Sequence, residues 1–459
     1  MQSLTIFEIV EATGGTLISG DGSFSVENIT TDSRTATHKS LFIPLVGEKT
    51  DGHKYIQSVF DNGCKAIITH NDIAPTENVC IVKVSNTLRA LGDVAAFYKE
   101  KYKIPTVSVT GSVGKTTTRD MVHSALNVKY NTLKTKNNYN NDIGVPWTVF
   151  SQEKEHEMAV IEMGMNHFGE IERLSEIVKP DAAVITNIGM AHIANLGSQE
   201  GIFKAKLEIT KLFNEKNTLI VNGDDKFLST IKASNPPYRV MYFGINNPEN
   251  DVYAKDIKNK GLDGIEFTVV VDSVEYNVYV SQPGTHNVYN ALAAICAGLV
   301  FDVKVEDAIK GIANCEYTAS RLELLKNNNV EIINDCYNAS PDSMRAAIAI
   351  LPYSTKKRRV AILGDMLEMG KYADKAHFDL GDDVVKNKID VLITAGENAL
   401  YIAKRALELG MSSVYSFDTT QEACDFTKEY IKDGDSVLVK ASHGMHFENI
   451  VNAIMDINF

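Results

Sequence analysis

Short apolar runs recur along this chain, each closed by polar residues and followed by an amphipathic stretch. Between residues 103 and 315 they fall at 104–110, 158–162, 183–187, 218–222 and 239–243. Runs of this length rich in Val, Ile and Ala fit strands covered on both faces. Their alternation with helical stretches predicts a mostly parallel central sheet flanked by helices. Residues 316–459 repeat the pattern, with runs at 331–335, 359–363, 390–394, 413–417 and 436–439, and predict a second, Rossmann-like α/β domain. Residues 1–102 carry weaker signals. A short helix begins near Phe7, glycine turns follow at Gly14, Gly15, Gly20 and Gly22, and strands are expected near 40–45, 66–69 and 80–84. The fold class is therefore α/β in three domains: a smaller one over 1–102, a central one over 103–315 and a C-terminal one over 316–459.

Ligands of such sheets sit beyond the carboxyl ends of the strands, and the chemistry of this chain collects there. The first central strand runs into Thr110-Gly111-Ser112-Val113-Gly114-Lys115-Thr116-Thr117 and then a segment free of Pro and Gly. A strand, a glycine turn and a helix N-terminus make an anion site, because free N–H groups and the positive end of the helix dipole converge there. Lys115 would reach the β/γ-phosphates and the Thr116 hydroxyl would ligate Mg²⁺. The strict P-loop pattern wants a glycine where Val109 stands; the additional glycine here is Gly111. Glu162 closes its strand where a P-loop enzyme places an acid for Mg²⁺, and Asn187 and His192 follow another strand. Residues 135–146 carry four asparagines, uncharged donors and acceptors suited to a sugar or amide or to a surface turn. His286, Asn287 and Asn290 open a further helix, with Asn287 and Asn290 on one face. In the first domain Asp32, Ser33 and Arg34 gather hydroxyl and guanidinium donors in one loop.

Composition narrows the partners. Among 459 residues, 46 basic and 59 acidic side chains leave a net charge of −13, which disfavours nucleic acid or an anionic membrane as a general partner. Six scattered cysteines without a CxxC pair suggest neither zinc nor a disulfide framework. No apolar stretch is long enough for membrane insertion and no signal-peptide pattern opens the chain, so a cytoplasmic location is expected.

An ordered set of motifs spans nearly the whole chain: TTDSR at 30–34, TGSVGKTTT at 110–118, NNYNNDIGVP at 137–146, EMGM at 162–165, NIGMAH at 187–192, AKLEI at 205–209, GTHNVYNALAA at 284–294, SR at 320–321, DCYNASPDSM at 335–344 and LGDMLEMG at 363–370. In this set the chain resembles the Mur ligases, the ATP-dependent amide-forming enzymes of peptidoglycan precursor synthesis. DCYNASPDSM with LGDMLEMG, and no D-N-P-R stretch, favours the branch that joins D-alanyl-D-alanine to UDP-MurNAc-tripeptide.

The resemblance implies the following roles. Ser33 and Arg34 bind the uridine nucleotide. Thr110, Gly111, Ser112, Gly114, Lys115, Thr116 and Thr117 bind MgATP, with Asn287, Asn290, Arg321 and Asp335 holding the nucleotide between the central and last domains. Thr116 and Glu162 ligate one Mg²⁺; His192 and Lys206, the latter carbamylated in the family, hold a second. Lys115, Glu162, His192 and Lys206 form the catalytic set. Asn138, Asn141, Asn338, Ser340 and Asp342 contact the substrates, in a family pattern from which Asn137 and Ser340 depart. A monomer is expected. Rival readings are a sibling or folylpolyglutamate-type ligase of the same fold, a P-loop ATPase switch that makes no covalent product, and a catalytically silent binding subunit; the intact set of Lys115, Glu162, His192 and Lys206 speaks against the last.

Overall fold

The computed structural model describes all 459 residues. Its centre is a nine-stranded sheet. From one edge its order is Val274–Val280, Ile265–Val271, Val252–Asn259, Arg239–Gly244, Thr218–Asn222, Ala182–Ile185, Thr106–Thr110, Met158–Glu162 and Thr132–Lys134. Pairing is parallel from Val252–Asn259 to Thr132–Lys134. Thr106–Thr110 lies between Met158–Glu162 and Ala182–Ile185, where the chain reverses its direction of travel across the sheet. That is the switch point at which an open α/β sheet leaves a crevice.

Helices cover both faces, as the fully buried central strands require. On one face Lys115–Asn127 packs against His286–Val300, whose run Ala291–Gly298 is wholly buried. Small side chains there let the two helices approach closely. The antiparallel strands Ile265–Val271 and Val274–Val280 are an addition that the apolar runs did not reveal. Their faces alternate between buried and solvated, and they turn at Asp272 and Ser273, both with positive φ (49° and 67°). Paired positive φ matches the right-handed strand twist in a two-residue hairpin.

The C-terminal sheet runs Glu323–Asn327, Val330–Asn334, Asp435–Lys440, Arg358–Gly364, Val391–Ala395 and Val414–Phe417, parallel except for its first strand. The N-terminal region holds a five-stranded mixed sheet made from Thr16–Ser19, Asn28–Thr30, Ser40–Phe42, Ala66–Thr69 and Cys80–Lys83. One buried apolar cluster extends from Leu4 and Ile9 through Leu91 and Ile177 to Met344 and Leu363, so the three regions meet through apolar contacts. No helix is long and apolar enough to cross a membrane.

Candidate active site

The P-loop is shaped by its glycines. Gly111 (φ 151°) leaves the strand, and Gly114 (φ 83°) caps the helix Lys115–Asn127 without any side-chain hydrogen bond. The first-turn N–H groups are therefore left for an anion. A Cβ at Gly111 would meet the Thr186 hydroxyl at 1.8 Å, and one at Gly114 would meet Asn290 Oδ1 at 2.9 Å. The loop is braced from the next strand's end: Asn187 accepts from the Ser112 and Val113 N–H groups at 3.0 Å, and Thr186 donates to the Val113 carbonyl at 2.6 Å.

A cavity of about 300 Å³ opens in front of this loop. Ser112, Gly114, Lys115, Thr116, Thr117, Asn138, Asn141, Glu162, His192 and Asn290 line it from the central domain. Arg321, Asp335, Asn338 and Ser340 close it from the C-terminal side. Most of the residues expected at the site thus share one space between two sheets. A second cavity of about 400 Å³ adjoins it across Gly114, His286 and Asn290, beyond the strand ends at Asn187, Asn222 and Phe243.

Several expected residues lie elsewhere. Thr110 and Gly111 line neither cavity; they form the strand end and turn. Asn287 is buried beneath the site. It accepts from Asn290 Nδ2 at 2.9 Å and donates to the Pro283 carbonyl at 2.8 Å, so it orients Asn290, whose Oδ1 also accepts from Thr118. Asp342 faces the second cavity and accepts from the Met190 N–H at 3.3 Å across the domain boundary. Ser33 and Arg34 lie in the N-terminal region, away from both cavities. The Arg34 side chain is 86% exposed and pairs with Asp32, holding that carboxyl down at about 2.

Electrostatics in the cavity favour an anion. Lys115 Nζ donates to the Gly111 carbonyl at 3.0 Å. Burial pushes its amine below the ordinary value, Glu162 opposes the shift and Arg321 adds to it. Arg321 lies over the Tyr337 ring, 3.8 Å from its centroid, with its charge disfavoured by burial. Lys206 is fully buried outside the lining. Desolvation, reinforced by Lys115, pushes its amine well below the ordinary lysine value. No three His, Cys, Asp or Glu side chains are grouped to hold a metal unaided. That donor set still fits Mg²⁺ at a nucleotide, which takes one or two carboxylates and completes its octahedron with phosphate and water. Glu162 Oε1 accepts from Asn140 at 2.8 Å and Oε2 from Arg119 at 3.3 Å, which fixes the carboxylate while each oxygen keeps acceptor capacity.

The structure adds residues that the pattern did not single out. Arg119 and Asp120, both 1% exposed, form a network under the site. The Arg119 guanidinium reaches Asp120 Oδ1, the Asn137 carbonyl, Glu162 and the Thr318 hydroxyl, while Lys134 pairs with Asp120 at 2.9 Å. Thr318 lies just before the C-terminal sheet, so this network ties the interdomain segment to Glu162. Lys440, 2% exposed, pairs with Asp335 at 2.5 Å and donates to the Asn338 carbonyl at 2.8 Å. Of these, Lys440 heads a polar cluster, 440–445, that closes its strand and was legible as such; the Arg119 network was not.

The Mur ligase middle domain matches residues 109–298, the Mur ligase glutamate ligase domain residues 320–443, and the domain described as "Mur ligase family, catalytic domain" residues 25–99. The chain is 38% identical over 457 residues to the UDP-N-acetylmuramoyl-tripeptide–D-alanyl-D-alanine ligase of Bacillus subtilis (strain 168), with 98% of each covered. The solved MurF of Acinetobacter baumannii shares 32% identity at a TM-score of 0.91, with 99% of both chains covered. MurF of Thermotoga maritima, solved in complex with ADP, shares 25% identity at a TM-score of 0.83, covering 93% of this chain and 97% of that one. Three matched domains in one order, with identity sustained from end to end, make this chain a member of the Mur ligase family.

Proposed function

We propose that this chain is an ATP-dependent, ADP-forming ligase that joins D-alanyl-D-alanine to UDP-N-acetylmuramoyl-tripeptide, making the pentapeptide precursor of peptidoglycan in the cytoplasm. The observation that carries this reading is the single cavity in which a P-loop from one domain faces Arg321, Asp335 and Asn338 from another. A motor or switch needs the first wall only; a ligase must bring a phosphorylated acid and an incoming amine together. The domain division at 102/103 and 315/316 separates three binding roles, with the uridine nucleotide near Ser33 and Arg34, ATP at the centre, and the dipeptide near Asn338 and Ser340.

A carboxylate does not condense with an amine in water because its oxygen is a poor leaving group. Attack of the tripeptide carboxylate on the γ-phosphorus gives an acyl phosphate and ADP. The dipeptide amine then adds to the carbonyl, loses a proton, and phosphate departs. Lys115 and the helix N–H groups hold the transferring phosphoryl and stabilise its charge. Thr116 and Glu162 would hold one Mg²⁺ and His192 with Lys206 a second; bound there, Mg²⁺ supplies positive charge to the phosphates. A buried amine at Lys206, pushed well below the ordinary lysine value by desolvation, suits carbamylation, in which nitrogen adds to CO₂ and releases a proton, turning a cation into an anionic ligand. Residues from the C-terminal domain exclude water from the acyl phosphate.

The test follows phosphate release from ATP with UDP-N-acetylmuramoyl-tripeptide, with and without D-alanyl-D-alanine, and the product by mass. Release that needs both substrates, with a product heavier by the dipeptide, is expected. Release indifferent to both would replace the ligase with an ATPase switch. A single amino acid joined to a shorter precursor would move the chain to a sibling branch.

A further inference from the structure

The segment from Ile188 to Gly197 is grasped by the C-terminal domain at several points. Asp342 accepts from the Met190 N–H, Gly370 packs on Ala194, and the Tyr372 hydroxyl donates to the Gly197 carbonyl at 3.3 Å. At its centre Glu368 Oε2 lies 2.8 Å from His192 Nδ1. Both residues hold left-handed backbone, with φ of 61° at His192 and 63° at Glu368. That conformation is uncommon for residues other than glycine. The His192 ring is 16% exposed and lines the same cavity as Lys115, Thr116 and Glu162.

With Nδ1 facing a carboxylate oxygen, Nδ1 is the nitrogen that donates a proton, which leaves Nε2 as the nitrogen available to the cavity. A carboxylate on the far nitrogen is how proteins orient a histidine that ligates a metal and raise its basicity. Here the carboxylate and the imidazole belong to different domains. We propose that Glu368 is a positioning residue for the ligation: from the docked C-terminal domain it fixes the tautomer and direction of His192, so that the metal-binding nitrogen is presented only when the two domains are together. The inference rests on the reading of His192 as a metal ligand. Its consequence is that ATP bound in an undocked enzyme meets an incomplete metal site, which suppresses idle hydrolysis.

The experiment uses the full-length protein with a non-hydrolysable ATP analogue and UDP-N-acetylmuramoyl-tripeptide. Mn²⁺ binding is counted by electron paramagnetic resonance, and domain docking is followed by small-angle X-ray scattering. Glu368 is 54% exposed, so its truncation leaves the core intact. In Glu368→Ala, Mn²⁺ at the weaker of two sites is expected to bind on the order of 10–100-fold less tightly. Turnover should fall with the KM for ATP little changed. Glu368→Gln keeps an acceptor for Nδ1–H and is expected to recover most of that affinity. Wild-type Mn²⁺ affinity in Glu368→Ala would overturn the proposal, and altered scattering beside it would leave Glu368 as a clasp alone. A wild-type enzyme that forms pentapeptide yet binds one Mn²⁺ would overturn the ligand role of His192; one that forms no pentapeptide would overturn the functional reading.

Discussion

Replacing Arg119 by Met removes one buried guanidinium and asks how much of the site's order depends on it. Arg119 binds Asp120 twice, at 2.8 and 3.2 Å, and also the Thr318 hydroxyl at 2.6 Å, the Asn137 carbonyl at 2.8 Å and Glu162 at 3.3 Å. Breaking a buried ion pair from one side costs about 3–5 kcal/mol, because a charge is left behind. The charges left here keep partners: Asp120 retains Lys134 and the Thr318 N–H, and Glu162 retains Asn140. The lower end, ~3 kcal/mol, is therefore expected. At roughly 2–4 °C per kcal/mol for a domain of 150–250 residues, the central domain should melt ~6–12 °C lower. Calorimetry reads this on the transition that an ATP analogue shifts upward. Glu162 also loses a charge-assisted hydrogen bond, about 1.5 kcal/mol, so turnover should fall roughly tenfold. Burial raises the Asp120 carboxyl, but Arg119 and Lys134 outweigh it and hold it below its ordinary value. A depressed carboxylate stabilises the fold above its unfolded pKa, and that contribution is lost as pH falls through the folded one. Acid sensitivity on that limb should shrink in Arg119→Met. A melting point within about 1 °C of wild type at neutral pH, against ~3 kcal/mol expected, would show that the Arg119 network does not hold the central domain together.

Lys115→Ala should lower substrate-dependent phosphate release by at least ~10²–10³-fold while the melting point holds, since Nζ bonds only to its own loop. Unchanged turnover would remove Lys115 from the chemistry. Gly111→Ala should abolish calorimetric binding of an ATP analogue, because its Cβ would meet the Thr186 hydroxyl at 1.8 Å; adding Thr186→Ala should recover some of it, and no recovery would locate the fault in the backbone alone. Burial pushes the His123 imidazole down to about 4 from an ordinary 6.5, with Nε2 3.1 Å from the Thr132 carbonyl oxygen. The native state holds this ring neutral while the unfolded chain takes up a proton, so stability rises with pH across that window. His123→Gln should therefore flatten the melting curve between those pH values, and parallel curves would exclude the ring as a cause.

Local features of this protein could be read directly from its residues. A run of apolar residues must be covered, and a glycine-rich turn before a helix leaves N–H groups free whatever surrounds it. Hence the strands Met158–Glu162 and Thr218–Asn222, the P-loop and the acid at the end of its neighbouring strand were all legible. The edge hairpin Ile265–Val280 was hidden because one of its faces stays wet, so it offers alternation rather than an apolar run. Which polar residues meet is settled by the packing of remote elements. Asn140 rather than its neighbours reaches Glu162, Asn287 lies behind Asn290 instead of in the cavity, and Asp342 turns to the adjoining one. Arg119 touches Thr318 across 199 residues of chain, and His192 touches Glu368 across 176. Such pairings depend on how two sheets are set against each other. Those two contacts arise between elements that are remote in the chain and leave no periodicity along it.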